Sequence, residues 1–258
     1  MDKLAVAVRK ALQAGSGEGP ERQAKKGWSR LAAIAADAQL LTERARDALS
    51  DGAGGPRTER RLVVGALLVH ALDISWAICH MLRTEPKRTH VVALTLWRPL
   101  LEHWLRAAFF TLEATDDEVT AFRTVGTLPM RVYPSKPNNP VAINIRLIAK
   151  LIGPRFSPTT PDLILDLAKE DDWHGFVHGG DVVVKLLDSG ETFESQISAD
   201  DVVRKVQRIA IISCLCGSTG VMLSRAERDE ADLRSIEAAL GSELEHFLAR
   251  WPSTPQPT

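Results

Sequence analysis

The densest chemistry in this 258-residue chain lies between Lys169 and Gly180, where KEDDWHGFVHGG gathers two of the seven histidines, two aromatics and three acids. His174 and His178 stand four apart, so on a helix both project from one face. Such a pair can hold a metal, and it can equally set a general acid and a general base against one substrate. Glu170 and Asp171 precede His174 by four and three residues, and either can orient its imidazole. The structural alternative is two hydrogen-bonded histidines at a helix end, where the C-terminal dipole favours a positive ring.

A second constellation is Arg98, Glu102 and Arg106, which fall at intervals of four and form one charged stripe. Trp97, Leu101, Trp104 and Leu105 lie on another side of the same helix. A solvated ion-pair ladder would be worth little. The apolar surroundings and the adjacent Pro99 argue instead for a deeply placed helix, where paired arginine and glutamate organise a site or a dimer seam. A third set is His70, Asp73 and His80. His70 reads as a satisfied core histidine, and Asp73 as a partner for Arg98 or Arg106. The basic groups Arg22/Lys25/Lys26, Arg57/Arg60/Arg61 and Arg83/Lys87/Arg88 read first as solvated helix ends and second as a phosphate patch.

Helices must position these groups. Asp2–Ala14 is an amphipathic helix with Leu4, Val8 and Leu12 on one face. The linker Gly15–Pro20 attaches it loosely or lets it dock on a protein partner. Long helices follow over 21–50, 58–84 (capped by Thr58) and 90–114, the last kinked by Pro99. A shorter one covers 116–126. Residues 127–139, with three prolines, read as an irregular loop. Pro140 opens a helix to Ile152, and 153–160 is another loop. A helix from Asp162 ends at His178-Gly179-Gly180, and a short extended arm spans 181–197. Ser198 caps a helix to Ser224, and a last one covers 229–251. The pattern predicts an all-α, up-and-down helical bundle. Residues 1–19 form an N-terminal helix and linker, 20–251 a single bundle domain and 252–258 a tail.

Composition narrows the function classes. The 32 basic and 33 acidic side chains leave a net charge of -1, which removes a global electrostatic case for nucleic-acid binding but not a local patch. Cys79, Cys214 and Cys216 have apolar neighbours and no metal spacing, which favours a reduced, cytoplasmic setting and small core residues. No segment reaches the ~20 uninterrupted apolar residues of a membrane span; Arg61–Leu82 comes closest. Phosphate-binding, dinucleotide and nucleophile-elbow motifs are missing, and no cofactor is expected.

From about Val63 to Leu223 the chain resembles a group of bacterial all-helical proteins. The resemblance rests on the Arg98-Glu102-Arg106 helix, the aromatic-rich helix ending in His178-Gly179-Gly180, the short arm, and the acid-capped helix from Ser198. That group is similar to the HEPN-type helical bundles, whose pattern is an arginine, a polar residue and then a histidine a few residues on. On this chain the polar position matches His174 and the final histidine His178, while Trp173 stands where the arginine belongs. The resemblance implies metal-independent RNA cleavage across a homodimer seam, as in phage-defence and toxin–antitoxin proteins. His178 would be the base, His174 would assist, and Arg98 or Arg106 would supply the charge that Trp173 cannot. The alternative is a non-catalytic interaction module with a structural Arg/Glu/His network.

Overall fold

The computed structural model describes residues 20–52, 55–133, 136–156, 162–169, 195, 197–225 and 228–252. In chain order the elements are α1 (Pro20–Gly52), α2 (Glu59–Thr84), α3 (Pro86–Thr95), α4 (Trp97–Leu112), α5 (Asp116–Val125), β1 (Met130–Tyr133), β2 (Lys136–Ala142), α6 (Ile145–Phe156), α7 (Asp162–Lys169), α8 (Ala199–Leu223) and α9 (Glu230–Arg250). The protein is an all-α helical bundle, with one small hairpin among the described residues. Neighbouring long helices run up and down, except that α8 lies parallel to α1 and to α4, whose Trp97 and Trp104 meet Lys205 and Thr219 in the same order. Thr42 meets Ser213, and a Cβ placed on Gly27 or Gly220 would meet Ala199 or Leu49.

Local chemistry sets the helix ends. Thr58 caps α2 by accepting from Arg61 N at 3.2 Å. Thr115 and Ser198 open α5 and α8 with reciprocal capping boxes, completed by Glu118 and Asp201. Gly126 closes α5 with φ 73°, a left-handed position that costs a glycine nothing.

α8 is the core helix, buried along nearly its whole length against α1, α2, α4 and α9. At its middle three hydroxyls from three helices meet. Thr42 Oγ1 lies 2.9 Å from Ser75 Oγ and 3.0 Å from Ser213 Oγ, and the two serines are 2.6 Å apart. Thr42 and Ser213 also reach the carbonyls of Ala38 and Ile209. The triangle is therefore satisfied in an apolar interior and fixes the register of α1, α2 and α8. The three cysteines sit in the same core, and burial pushes the Cys79 thiol up to about 12 and the Cys214 and Cys216 thiols up as well.

Several expectations need correction. The stretch 90–114 is two helices that meet at Leu96, whose N–H turns back to Ala93 O. Pro99 lacks the N–H that Thr95 O would take, so the break falls one turn before it. Residues 127–139 are not all loop: β1 pairs antiparallel with β2, Met130 opposite Ala142 and Arg131 opposite Val141. Pro140 is a strand residue, tolerated because a two-stranded ribbon has only edges. α6 begins at Ile145 instead, where Asn144 Oδ1 accepts from Leu147 N at 3.1 Å. It continues past Gly153 and Pro154 to Phe156. Among the described residues two helices, α2 and α8, are long and apolar enough to cross a membrane by length and composition, although uninterrupted apolar runs pointed only near α2. In this bundle α8 is mostly buried and α2 half buried. The helix expected over 2–14, residues 181–194 and 196 of the arm expected over 181–197, and residues 253–258 of the tail expected over 252–258 lie outside the described residues.

Candidate functional site

The break at Leu96 turns α4 so that its Trp97, Leu101, Trp104 and Ala108 side enters the core. Trp104 Nε1 donates to Thr219 Oγ1 of α8 at 3.3 Å, and its ring stands edge-on to Phe156 of α6. With that side fixed, the charged stripe rests half buried. Arg98 Nε donates to Glu102 Oε1 at 2.6 Å and Arg106 Nη2 to Glu102 Oε2 at 2.8 Å. The three side chains are 20%, 24% and 28% exposed, so this is neither a fully solvated ladder nor a buried triad. Arg106 Nε is buried without a hydrogen bond among the described residues.

His103, which the spacing of the charged stripe does not single out, belongs to this group. Its Nδ1 lies 2.6 Å from Pro99 O. A carbonyl only accepts, so Nδ1 carries the proton and Nε2 keeps the lone pair. Burial first, then the neighbouring His70 and Arg106, hold its pKa below 6.5, against the opposing pull of Glu102 and of the Pro99 hydrogen bond. The ring of His70, from α2, lies 4.6 Å from that of His103 at 55°. His70 is thus an exposed helix-face residue and not the core histidine expected. Asp73 pairs with Arg46 of α1 and not with Arg98 or Arg106, because its face of α2 turns toward α1. His80 stacks flat on Trp76 at 4.8 Å.

The structure therefore brings Arg98, Glu102 and Arg106 together and adds His103 and His70. His174 and His178, with Trp173, lie outside the described residues. The signal for His103 was present in the sequence: it stands five residues after Arg98 and next to Glu102. A spacing of five hid it, because His103 falls off the 98-102-106 stripe.

Of the basic residues at helix ends, Arg60 has a structural role. Arg60 clamps the end of α4 to the start of α5, donating to Phe110 O, to Ala114 O at 2.8 Å and to Asp116 Oδ1 at 2.7 Å. Lys205 of α8 lies over the Trp97 ring, 5.1 Å from its centroid, and burial brings its pKa down to about 8. Among the described residues, no group of three or more His, Cys, Asp or Glu could hold a metal ion. No protein-family model matches this chain, and no curated protein or solved structure matches it either. Fold and site together thus define a class and no more: an all-α bundle with a half-buried Arg/Glu/His cluster on one helix.

Proposed function

We propose that the protein is a HEPN-like helical protein of the bacterial defence or toxin–antitoxin kind, and that it cleaves RNA without a metal at the α4–α2 face. One observation carries this reading. A histidine with a free Nε2 lone pair, His103, sits beside an arginine pair on one helix and against a second histidine, His70, on the next. In the reaction His103 takes the proton of a ribose 2′-hydroxyl. The 2′-oxygen attacks phosphorus, the bond to the 5′-oxygen breaks, and a proton goes to that leaving oxygen, with His70 placed to give it. Arg98 and Arg106 balance the phosphate charge as Glu102 releases them. The seam between two copies runs along the exposed face of α2, beside His70.

The test is cleavage of single-stranded RNA in the presence of a chelator. His103→Ala should lower the rate by ~10²–10⁴ while the helical circular dichroism is kept. His178→Ala, made in parallel, asks whether the second histidine pair shares the work. Unchanged cleavage in both variants would sink the assignment. Loss with His178→Ala alone would move the base away from His103.

The closure of the ladder favours a second reading, a non-catalytic interaction module. Both Glu102 oxygens are already taken by the two arginines. In that case Arg98→Ala and His178→Ala lower stability, and the wild-type chain has no cleavage to lose.

A further inference from the structure

His70 of α2 and His103 of α4 stand side by side on two packed helices, their ring centroids 4.6 Å apart at 55°. His70 is exposed and His103 half buried, so the pair is open to solvent. His103 Nδ1 donates to Pro99 O at 2.6 Å, which leaves Nε2 with its lone pair. Metal-ligating histidines are commonly held in this way, one ring N–H on a carbonyl and the other nitrogen left for the ion.

The ring spacing suits chelation. An imidazole bound at about 2.0–2.1 Å has its centroid ~3.2 Å from the ion. Two centroids 4.6 Å apart then subtend roughly 90° at that ion. Such an angle fits an octahedral or tetragonal shell, and a small opening of it fits tetrahedral Zn²⁺. Imidazole donors select these late first-row ions over Mg²⁺ and Ca²⁺, which take oxygen. The neighbouring charge is mixed. Arg106 and Glu102 both reach His103 electrostatically, with opposite sign, and are ion-paired to each other. Asp73, three residues beyond His70, is held by Arg46. We propose that His70 and His103 form a two-imidazole clip for a late first-row divalent cation, with water completing its shell. The packing of α2 on α4 brings the donors together before an ion arrives, so little ordering is left to the binding step. The clip is independent of the RNA-cleavage reading, and its consequence rests on that reading: an ion on His103 Nε2 occupies the lone pair that takes the 2′-hydroxyl proton, and cleavage is inhibited.

Titration of the full-length protein with Zn²⁺ at pH 7.5, followed by calorimetry and by the thermal unfolding midpoint, tests it. The ion should raise the midpoint, because the unfolded chain has no clip. His70→Ala and His103→Ala should each weaken the tightest site at least tenfold. His70 is exposed, so its loss leaves the bundle core untouched. His80→Ala, on the same helix but stacked on Trp76, should leave the affinity unchanged, and so should the double variant His174→Ala, His178→Ala. Equal affinity in the wild type and His70→Ala would overturn the proposal, as would loss of the site with the 174/178 double variant. Zn²⁺ that binds through His70 and His103 without slowing RNA cleavage would uphold the clip and remove His103 as the base.

Discussion

His103 and His90 show how one hydrogen bond and partial burial set a charge state. His90 Nδ1 donates to the carbonyls of Lys87 at 3.0 Å and Pro86 at 3.2 Å, and its Nε2 is buried with no partner among the described residues. Burial is the leading reason that both rings titrate below 6.5. The sign follows from proton counting. Between the lowered folded pKa and 6.5 the unfolded chain binds more protons, so stability rises with pH across that window. The full contribution is present above 6.5 and is lost as pH falls. The urea midpoint should therefore drop between pH 7.5 and pH 5. The double variant His90→Gln, His103→Gln should flatten that slope even where its baseline stability is lower. An unchanged slope would mean that neither ring is held neutral by the fold. The reading of His103 as a base at neutral pH rests on the same physics, since a protonated ring could not accept the 2′-hydroxyl proton.

At the scale of the elements, the contact of α8 with α1 and α9 depends on the absence of side chains at Gly217 and Gly220. A Cβ on Gly217 would lie 2.8 Å from Leu240 Cδ1 and 3.3 Å from Ala45 O. The leucine can move and the backbone oxygen cannot easily. Gly217→Ala should cost about 1–3 kcal/mol by overpacking. Gly241, within α9, is different: a Cβ there would meet nothing within 4 Å, so Gly241→Ala should stabilise by about 0.5–1 kcal/mol through helix propensity alone. Denaturation of the two variants side by side checks both signs. Equal effects would mean that the close approach of α8 to α1 is not tight. The helices themselves were legible in the sequence, since caps such as Thr58 and Ser198 and the 3.6-residue period act locally. The hairpin was hidden because Pro140 and its neighbouring prolines speak against a strand, and only pairing with Met130–Tyr133 overrides them. The partner of Asp73 was hidden for a different reason. Which face of α2 meets Arg46 is fixed by the register of the Thr42–Ser75–Ser213 triangle, a property of three helices at once. The charged stripe of α4 could be read from spacing, whereas the contact of His103 with His70 arises only when α2 and α4 pack.

For the molecule as a whole, α2, the more apolar of the two span-length helices among the described residues, is the one that the bundle leaves half covered. Positions 62, 66, 69, 73, 76 and 80 of α2 alternate steps of four and three, the seam spacing of paired helices, and all six are exposed. Leu62, Val69 and Trp76 are 44%, 43% and 38% exposed. Asp73, within the stripe, is already paired with Arg46, so it brings no unmatched charge to the seam. An antiparallel two-fold through Val69 would set Leu62 of each copy opposite Trp76 of the other, since both stand seven residues from the axis. Such a contact is self-complementary, as a closed dimer requires. It would also place the His70–His103 pair of both copies near one seam. Val69→Glu puts two like charges on the axis at a position where the monomer fold tolerates a polar group. Light scattering should give twice 28.3 kDa for the wild type and 28.3 kDa for the variant. RNA cleavage should fall with the dimer if the site spans the seam. A wild-type monomer at tens of micromolar, or a Val69→Glu protein that still dimerises, would place the association elsewhere and separate it from the α4 cluster.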